Sequence, residues 1–215
     1  MYNYVNFVTL IIMSAMTKSF ENAHQIFLAH HGILRTAQAK RLGVNQNTLK
    51  QMLEAGLLTK ETRGVYRLAF LPPLSNPDLI QVSIRAPSCV VFLISALAFH
   101  QLTTQIPNRV FIALPKNVLP PRIDYPPIKV YRLSDNIYSA GIEAHTLDGV
   151  TVRVYSREKT ISDCFKFRHK IGEDLAIQAL KDYLRQPPPD IPKILEFARL
   201  NRVESILTPY LKAAL

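Results

Sequence analysis

Leu34-Arg35-Thr36-Ala37-Gln38-Ala39-Lys40-Arg41-Leu42-Gly43-Val44-Asn45-Gln46-Asn47-Thr48-Leu49-Lys50-Gln51-Met52-Leu53 reads as two short helices joined by a tight turn. Two helices that cross closely need a small residue at the crossing, and Ala39 sits there. Four positions on, the turn needs a residue that tolerates positive φ, and that residue is Gly43. Leu42, Val44, Leu49, Met52 and Leu53 supply the apolar faces on which the pair would pack, against each other and against a preceding helix. Asn45 is the expected N-cap of the second helix, its side-chain oxygen taking an otherwise orphaned backbone N–H. This spacing predicts a helix-turn-helix.

Gln46, Asn47, Thr48, Lys50 and Gln51 would then stay exposed on the second helix, with no acid among them. Asn and Gln can bond adenine through two hydrogen bonds, Lys can reach guanine or phosphate, and Thr can touch a thymine methyl. Residues 46–51 are therefore the expected major-groove edge. Arg35, Thr36, Lys40 and Arg41 on the helix before it are candidate backbone contacts. Gly56 would end the second helix, and Leu57 to Leu68 would form a hairpin with Thr62-Arg63-Gly64 at its tip. A basic hairpin in that position is expected to act as a wing, reaching the duplex with Lys60, Thr62, Arg63 and Arg67 while Tyr66 packs inward. The competing reading is a solvated helical pair that never meets nucleic acid.

Charge agrees with a polyanion partner without locating it. The chain of 215 residues carries 26 Lys and Arg against 16 Asp and Glu, a formal charge of +10. Double-stranded DNA leads the expected partners, ahead of an anionic membrane surface. Residues 17–72 hold eight basic and three acidic side chains, so half of the +10 lies there and half beyond. The motif selects the site; the charge does not.

Leu71-Pro72-Pro73-Leu74-Ser75-Asn76-Pro77 reads as a linker between two units. The expected organisation is an N-terminal extension over 1–16, a winged helix-turn-helix over 17–72, and an α+β domain over 78–215 that ends in a helical tail. In the second unit two helical stretches come first, the later one capped by Ser88. Strands are expected over 109–114, 128–133, 142–147 and 150–155, the last pair joined by Asp148-Gly149 as a type I′ hairpin. Helical patterns follow over 156–169, 173–186, 191–200 and 202–213. Helices and strands are segregated rather than alternating, which favours α+β over a doubly wound sheet.

Along 156–169, Ser156 is the expected N-cap and Glu158 suits the positive end of the helix dipole. Ile161, Cys164, Phe165 and Arg168 follow core spacing, leaving Arg157, Lys159, Lys166 and Lys170 to project outward. That basic edge is either solvated or a second partner surface. Asp163 is expected to pair with Lys159 or Lys166. Cys89 and Cys164 sit apart in apolar surroundings, with no metal-ligand spacing, and read as reduced core thiols of a cytoplasmic protein. Phe7 to Met13 is apolar but far short of the roughly 20 residues that span a bilayer. No basic residue precedes it, and Met13 or Met16 would serve equally as a start, so neither a signal peptide nor a membrane anchor is expected.

Three blocks resemble the AbiEi family of antitoxins and transcriptional regulators. The first is Arg63-Gly64-Val65-Tyr66-Arg67-Leu68. The second is Ser95-Ala96-Leu97-Ala98-Phe99-His100-Gln101-Leu102-Thr103, followed by Ile106-Pro107 and Val110-Phe111-Ile112-Ala113-Leu114-Pro115. The third is Glu158-Lys159-Thr160-Ile161-Ser162-Asp163-Cys164-Phe165-Lys166-Phe167-Arg168, with Lys170-Ile171-Gly172 and Ala179-Leu180 after it. The resemblance spans about residues 20 to 186 and leaves residues before Thr17 outside its pattern. It implies an N-terminal winged helix that represses its own operon. It also implies a C-terminal domain that counteracts a nucleotidyltransferase-like toxin of a type IV toxin-antitoxin system without a stable complex.

Two other functions compete. One is a stand-alone regulator whose second unit senses a ligand or a protein. The other is a DNA-processing nuclease, for which Asp148, Glu158 and Lys159 are the nearest candidates. Asp148 is better explained by its turn, and Glu158-Lys159 lacks the spacer that would send both side chains off one strand face. His24, His30, His31, His100, His145 and His169 form no metal motif, and His100 reads as structural. No phosphate-binding glycine loop or nucleophile elbow occurs. The expectation is a non-enzyme with no catalytic residues, metal or cofactor.

Overall fold

The structure, a computed structural model, describes residues 18–186 and 188–214. The expected extension over 1–16 lies outside the described residues. The chain divides into two compact units, one ending at Pro77 and taking in Leu147–Val150, the other formed by 78–146 and 151–215.

In the first unit, α1 (Lys18–Ala29) is followed by β1 (Ile33–Arg35), α2 (Thr36–Arg41), α3 (Gln46–Glu54), β2 (Leu58–Thr62) and β3 (Val65–Leu68). The strands form an antiparallel sheet in the order β1-β3-β2. Its core gathers Phe27 from α1, Leu34 from β1, Ala39 from α2, Leu49 and Met52 from α3 and Leu68 from β3. Ala39 is fully buried where the helices meet. Gly43 has φ +95°. Its N–H reaches the Lys40 carbonyl at 3.1 Å while Val44 N–H reaches the Ala39 carbonyl at 2.9 Å, the paired bonds of a left-handed helix stop. Gly56 ends α3 with the same pair of bonds, to Leu53 and from Leu57 to Met52.

Two features of this unit differ from expectation. β1 replaces the plain helix-to-helix connection, because Ile33 and Leu34 complete the sheet by pairing with Arg67 and Tyr66. Leu42 is 38% exposed rather than packed between the helices, since the chain reverses directly after it and turns Val44 into the core instead.

The second unit contains α4 (Pro77–Arg85), whose first residue belongs to the preceding unit, then β4 (Val90–Val91), α5 (Leu93–Phe99), β5 (Val110–Pro115), β6 (Ile128–Leu133) and α6 (Asp135–Ser139). β7 (Ile142–Leu147) and β8 (Val150–Tyr155) follow, then the helices α7 (Arg157–Lys166), α8 (Arg168–Ile171), α9 (Glu173–Arg185), α10 (Ile191–Leu200) and α11 (Glu204–Ala214). The five strands lie in the order β6-β5-β4-β8-β7, with β4 antiparallel to β5 and parallel to β8, and β5 parallel to β6. The fold class is α+β, with helices α7 to α11 following the sheet in the chain. Helix α9 shows how its side was chosen: Leu175, Ala176, Ala179, Leu180 and Tyr183 recur at helical spacing and are all buried. Asp148 and Gly149 both have positive φ, +46° and +79°, as a type I′ hairpin requires.

Ser88 does not cap a helix. The chain passes through β4 first, and α5 starts at Leu93 with Phe92 as its flanking residue. Ser156 does cap α7, accepting Lys159 N–H at 3.3 Å.

Candidate nucleic-acid interface

Helix α3 is locked at its start. Asn45 Oδ1 accepts the backbone N–H of Thr48 at 2.7 Å and its hydroxyl at 3.0 Å. The Thr48 hydroxyl also lies 2.9 Å from Ser19 Oγ on α1. Thr48 is therefore only 4% exposed, and the expectation that it stands on the outer edge is corrected: its hydroxyl is consumed in holding α3 to α1. Ser19 was missed by the sequence reading, because no local pattern links positions 29 residues apart. Gln46, Asn47, Lys50 and Gln51 are exposed together on the opposite edge.

Neighbouring elements bring further polar groups toward that edge. Lys40 Nζ on α2 donates to Gln46 Oε1 at 2.8 Å. Arg41 is exposed and its Nε donates to the Ala37 carbonyl at 3.4 Å. Lys50 pairs with Glu54 at 3.7 Å, but both are well exposed, so the pair is screened and contributes little. Thr36 is half-buried and ties the start of α2 to the hairpin tip, its N–H and hydroxyl meeting the Gly64 carbonyl at 2.9 and 3.2 Å. Arg35 pairs along the strand with Val65, two residues past Arg63, and both arginine side chains are exposed. Lys60 is exposed and Thr62 half-buried on β2.

Arg67 departs from expectation. It is 8% exposed, and its guanidinium donates to the Leu71 carbonyl at 3.4 Å and, at closer range, to the Pro72 carbonyl. Glu61 lies 4.0 Å away as a counter-charge. Arg67 alternates onto the face of β3 opposite the core residue Leu68, where the Leu71–Pro72 segment covers it and its charge secures that segment. Tyr66 packs against the core of the unit. Burial lowers the pKa of His24 on α1.

In the second unit the expected outward row on α7 is corrected at two positions. Lys159 is fully buried and bonds both Asp163 oxygens, at 2.5 and 2.6 Å. Asn201 Nδ2 adds a bond to the same carboxylate at 2.7 Å. The Lys159 ammonium also sits 4.6 Å from the centre of the Tyr155 ring. Arg157 is half-buried, lies over the Tyr183 ring at 4.8 Å and donates to the Gln186 carbonyl at 3.1 Å. Lys166 is half-buried and Lys170 exposed. Arg168 is half-buried rather than core, donating to the Phe165 carbonyl at 3.0 Å and pairing with Glu173 at 3.6 Å.

Cys89 and Cys164 are both buried and free, and burial pushes the Cys89 thiol up to about 12. His100 Nε2 lies 2.7 Å from the Tyr155 carbonyl. Among the described residues, no three His, Cys, Asp or Glu side chains are grouped to hold a metal ion. Among those residues, no helix is long and apolar enough to cross a membrane.

Residues 25–69, which span this helix pair and hairpin, match the family described as transcriptional regulator, AbiEi antitoxin. The fold is similar to the crystal structure of the RV2827C protein from Mycobacterium tuberculosis, with a TM-score of 0.50 and 12% identity over 92% of this chain and 82% of that one. At that identity the likeness concerns the fold alone. No curated protein matches the chain.

Proposed function

We propose that this protein is a sequence-specific DNA-binding repressor of its own operon and the antitoxin of a type IV toxin-antitoxin pair. One observation carries the reading: Gln46, Asn47, Lys50 and Gln51 lie exposed on a capped helix inside the segment that matches AbiEi transcriptional regulators. These side chains offer donors and acceptors of the kind that read base edges in the major groove. Arg35, Thr36, Lys40, Arg41, Lys60, Thr62 and Arg63 flank them, the basic ones supplying contacts to phosphates. In this reading β2 and β3 form the wing, and the burial of Thr48 and Arg67 removes both from the contact set.

The second unit would counteract a nucleotidyltransferase-like toxin without holding it in a stable complex. The protein would work in the cytoplasm, as a regulator rather than an enzyme. An electrophoretic shift assay on the DNA upstream of the gene tests the binding. Wild type should shift that fragment at concentrations that leave unrelated duplex free. Lys50→Ala and Gln46→Ala should change the sequence preference. Wild-type-like binding by these variants and by Arg63→Ala would sink the assignment.

A further inference from the structure

The second unit has a cavity of about 520 Å³ between β6 and the turn joining α7 to α8. It is lined by Lys129, Val130, Tyr131, Arg132, Phe167 and Lys170, and no carboxylate is among them. Lys129, Arg132 and Lys170 are exposed, and none has an acidic partner among the described residues.

Lys170 is held in an unusual way for a surface lysine. Its ammonium lies 5.8 Å from the centre of the Tyr131 ring and 5.7 Å from that of Phe167. Aromatic faces attract a cation without supplying a counter-charge, so its position is restrained while its charge stays uncompensated. The rings are themselves anchored: Tyr131 and Phe167 meet edge-on at 5.1 Å, and each meets the buried Phe92 edge-on, at 5.4 and 5.5 Å. Strand β6 is the edge of its sheet, with β5 as its neighbour on one side.

We propose that this cavity binds a free nucleoside polyphosphate. Three cations bordering one hollow, with no acid in its lining, call for a ligand carrying two or more negative charges on adjacent groups, and Arg132 offers the forked donor set that suits phosphate oxygens. The volume falls in the range of small-molecule sites, and the Tyr131 and Phe167 rings give an apolar wall for a base or sugar. The inference uses only residues of the second unit and does not depend on the reading of the first.

Isothermal titration calorimetry on the full chain tests it, using GTP and ATP without added divalent cation, since no carboxylate lines the cavity to hold one. Inorganic tripolyphosphate, adenosine and a short unphosphorylated single-stranded oligonucleotide are titrated in parallel. A saturable nucleotide isotherm, weakened about tenfold or more by Arg132→Ala and by Lys170→Ala, is expected. Both side chains are exposed, and unchanged circular dichroism of the variants confirms that the site and not the fold was altered. Absence of saturable heat into the millimolar range, or affinity indifferent to both substitutions, overturns the proposal. So does tripolyphosphate binding as tightly as the nucleotides. Oligonucleotide binding with the same dependence on Arg132 assigns the cavity to a nucleic-acid backbone and overturns it too.

Discussion

Asn45 and Thr48 are joined twice, through the backbone N–H at 2.7 Å and through the hydroxyl at 3.0 Å, so one side-chain oxygen fixes the start of α3. The same hydroxyl meets Ser19, and the helix that carries the exposed polar edge is thereby set against α1. Asn45→Ala should cost about 1 kcal/mol, the usual effect of losing a helix cap. Thr48→Val keeps the volume but abandons both hydroxyl contacts, and should cost about 1 kcal/mol as well. Neither should change which sequence is bound, whereas Asn47→Ala should. Urea denaturation with shift assays on a mutated operator series separates the two effects; a change of preference in Thr48→Val would return Thr48 to the contact set.

Arg63 and Arg67 sit four residues apart yet should behave oppositely. Arg63→Ala should leave stability nearly unchanged and lower the slope of log K against log salt by about one unit, as the loss of one phosphate contact does. Arg67→Ala strands the Leu71 and Pro72 carbonyls and leaves Glu61 without its cation. A buried charged donor of this kind is worth about 1.5–3 kcal/mol, so the variant should melt lower while its salt slope stays that of wild type. A reduced slope for Arg67→Ala at unchanged stability would reverse the two assignments.

The contrast between those arginines marks what a sequence can disclose. Gly43, Ala39 and Asn45 were legible because the turn, the crossing and the cap are dictated by neighbours within a few positions. Thr48 and Arg67 were not: Thr48 is buried by Ser19, 29 residues away, and Arg67 by an irregular fold-back of Leu71–Pro72 that neither helix nor strand periodicity encodes. β4 escaped for another reason. Val90 and Val91 lie in an apolar run that a buried strand and a helix would share equally, and only pairing with Ile112, Ala113 and Val154 decides it. Lys159 read as outward on helical spacing, yet its i+4 neighbour Asp163 is also buried and each satisfies the other.

The Lys159–Asp163 pair is fully buried, with Asn201 and Tyr155 around it. Removing one ion leaves the other uncompensated away from water, which costs about 3–5 kcal/mol. Lys159→Met and Asp163→Leu should each destabilise the protein by about that amount, and the double variant should cost clearly less than their sum. Chemical denaturation of the four proteins completes the cycle. Additive losses would mean that the two charges are solvated independently, and the buried pair would have to be abandoned.

His100 provides a pH test in the same unit. Burial lowers its pKa, outweighing the bond to the Tyr155 carbonyl and the nearby Glu143, both of which raise it. The folded state therefore prefers the neutral ring, so the unfolded chain takes up a proton first as pH falls. Stability from this group is full above the ordinary histidine value of about 6.5 and declines as pH drops from there toward the folded-state pKa. His24 in the first unit is shifted the same way by burial and should contribute in the same direction. Thermal melts between about pH 7.5 and pH 5.5 should show a falling midpoint, with a shallower fall in His100→Gln, whose side chain does not titrate. A steeper fall in that variant, or a wild-type midpoint that rises on acidification, would show that the ring is charged in the folded protein.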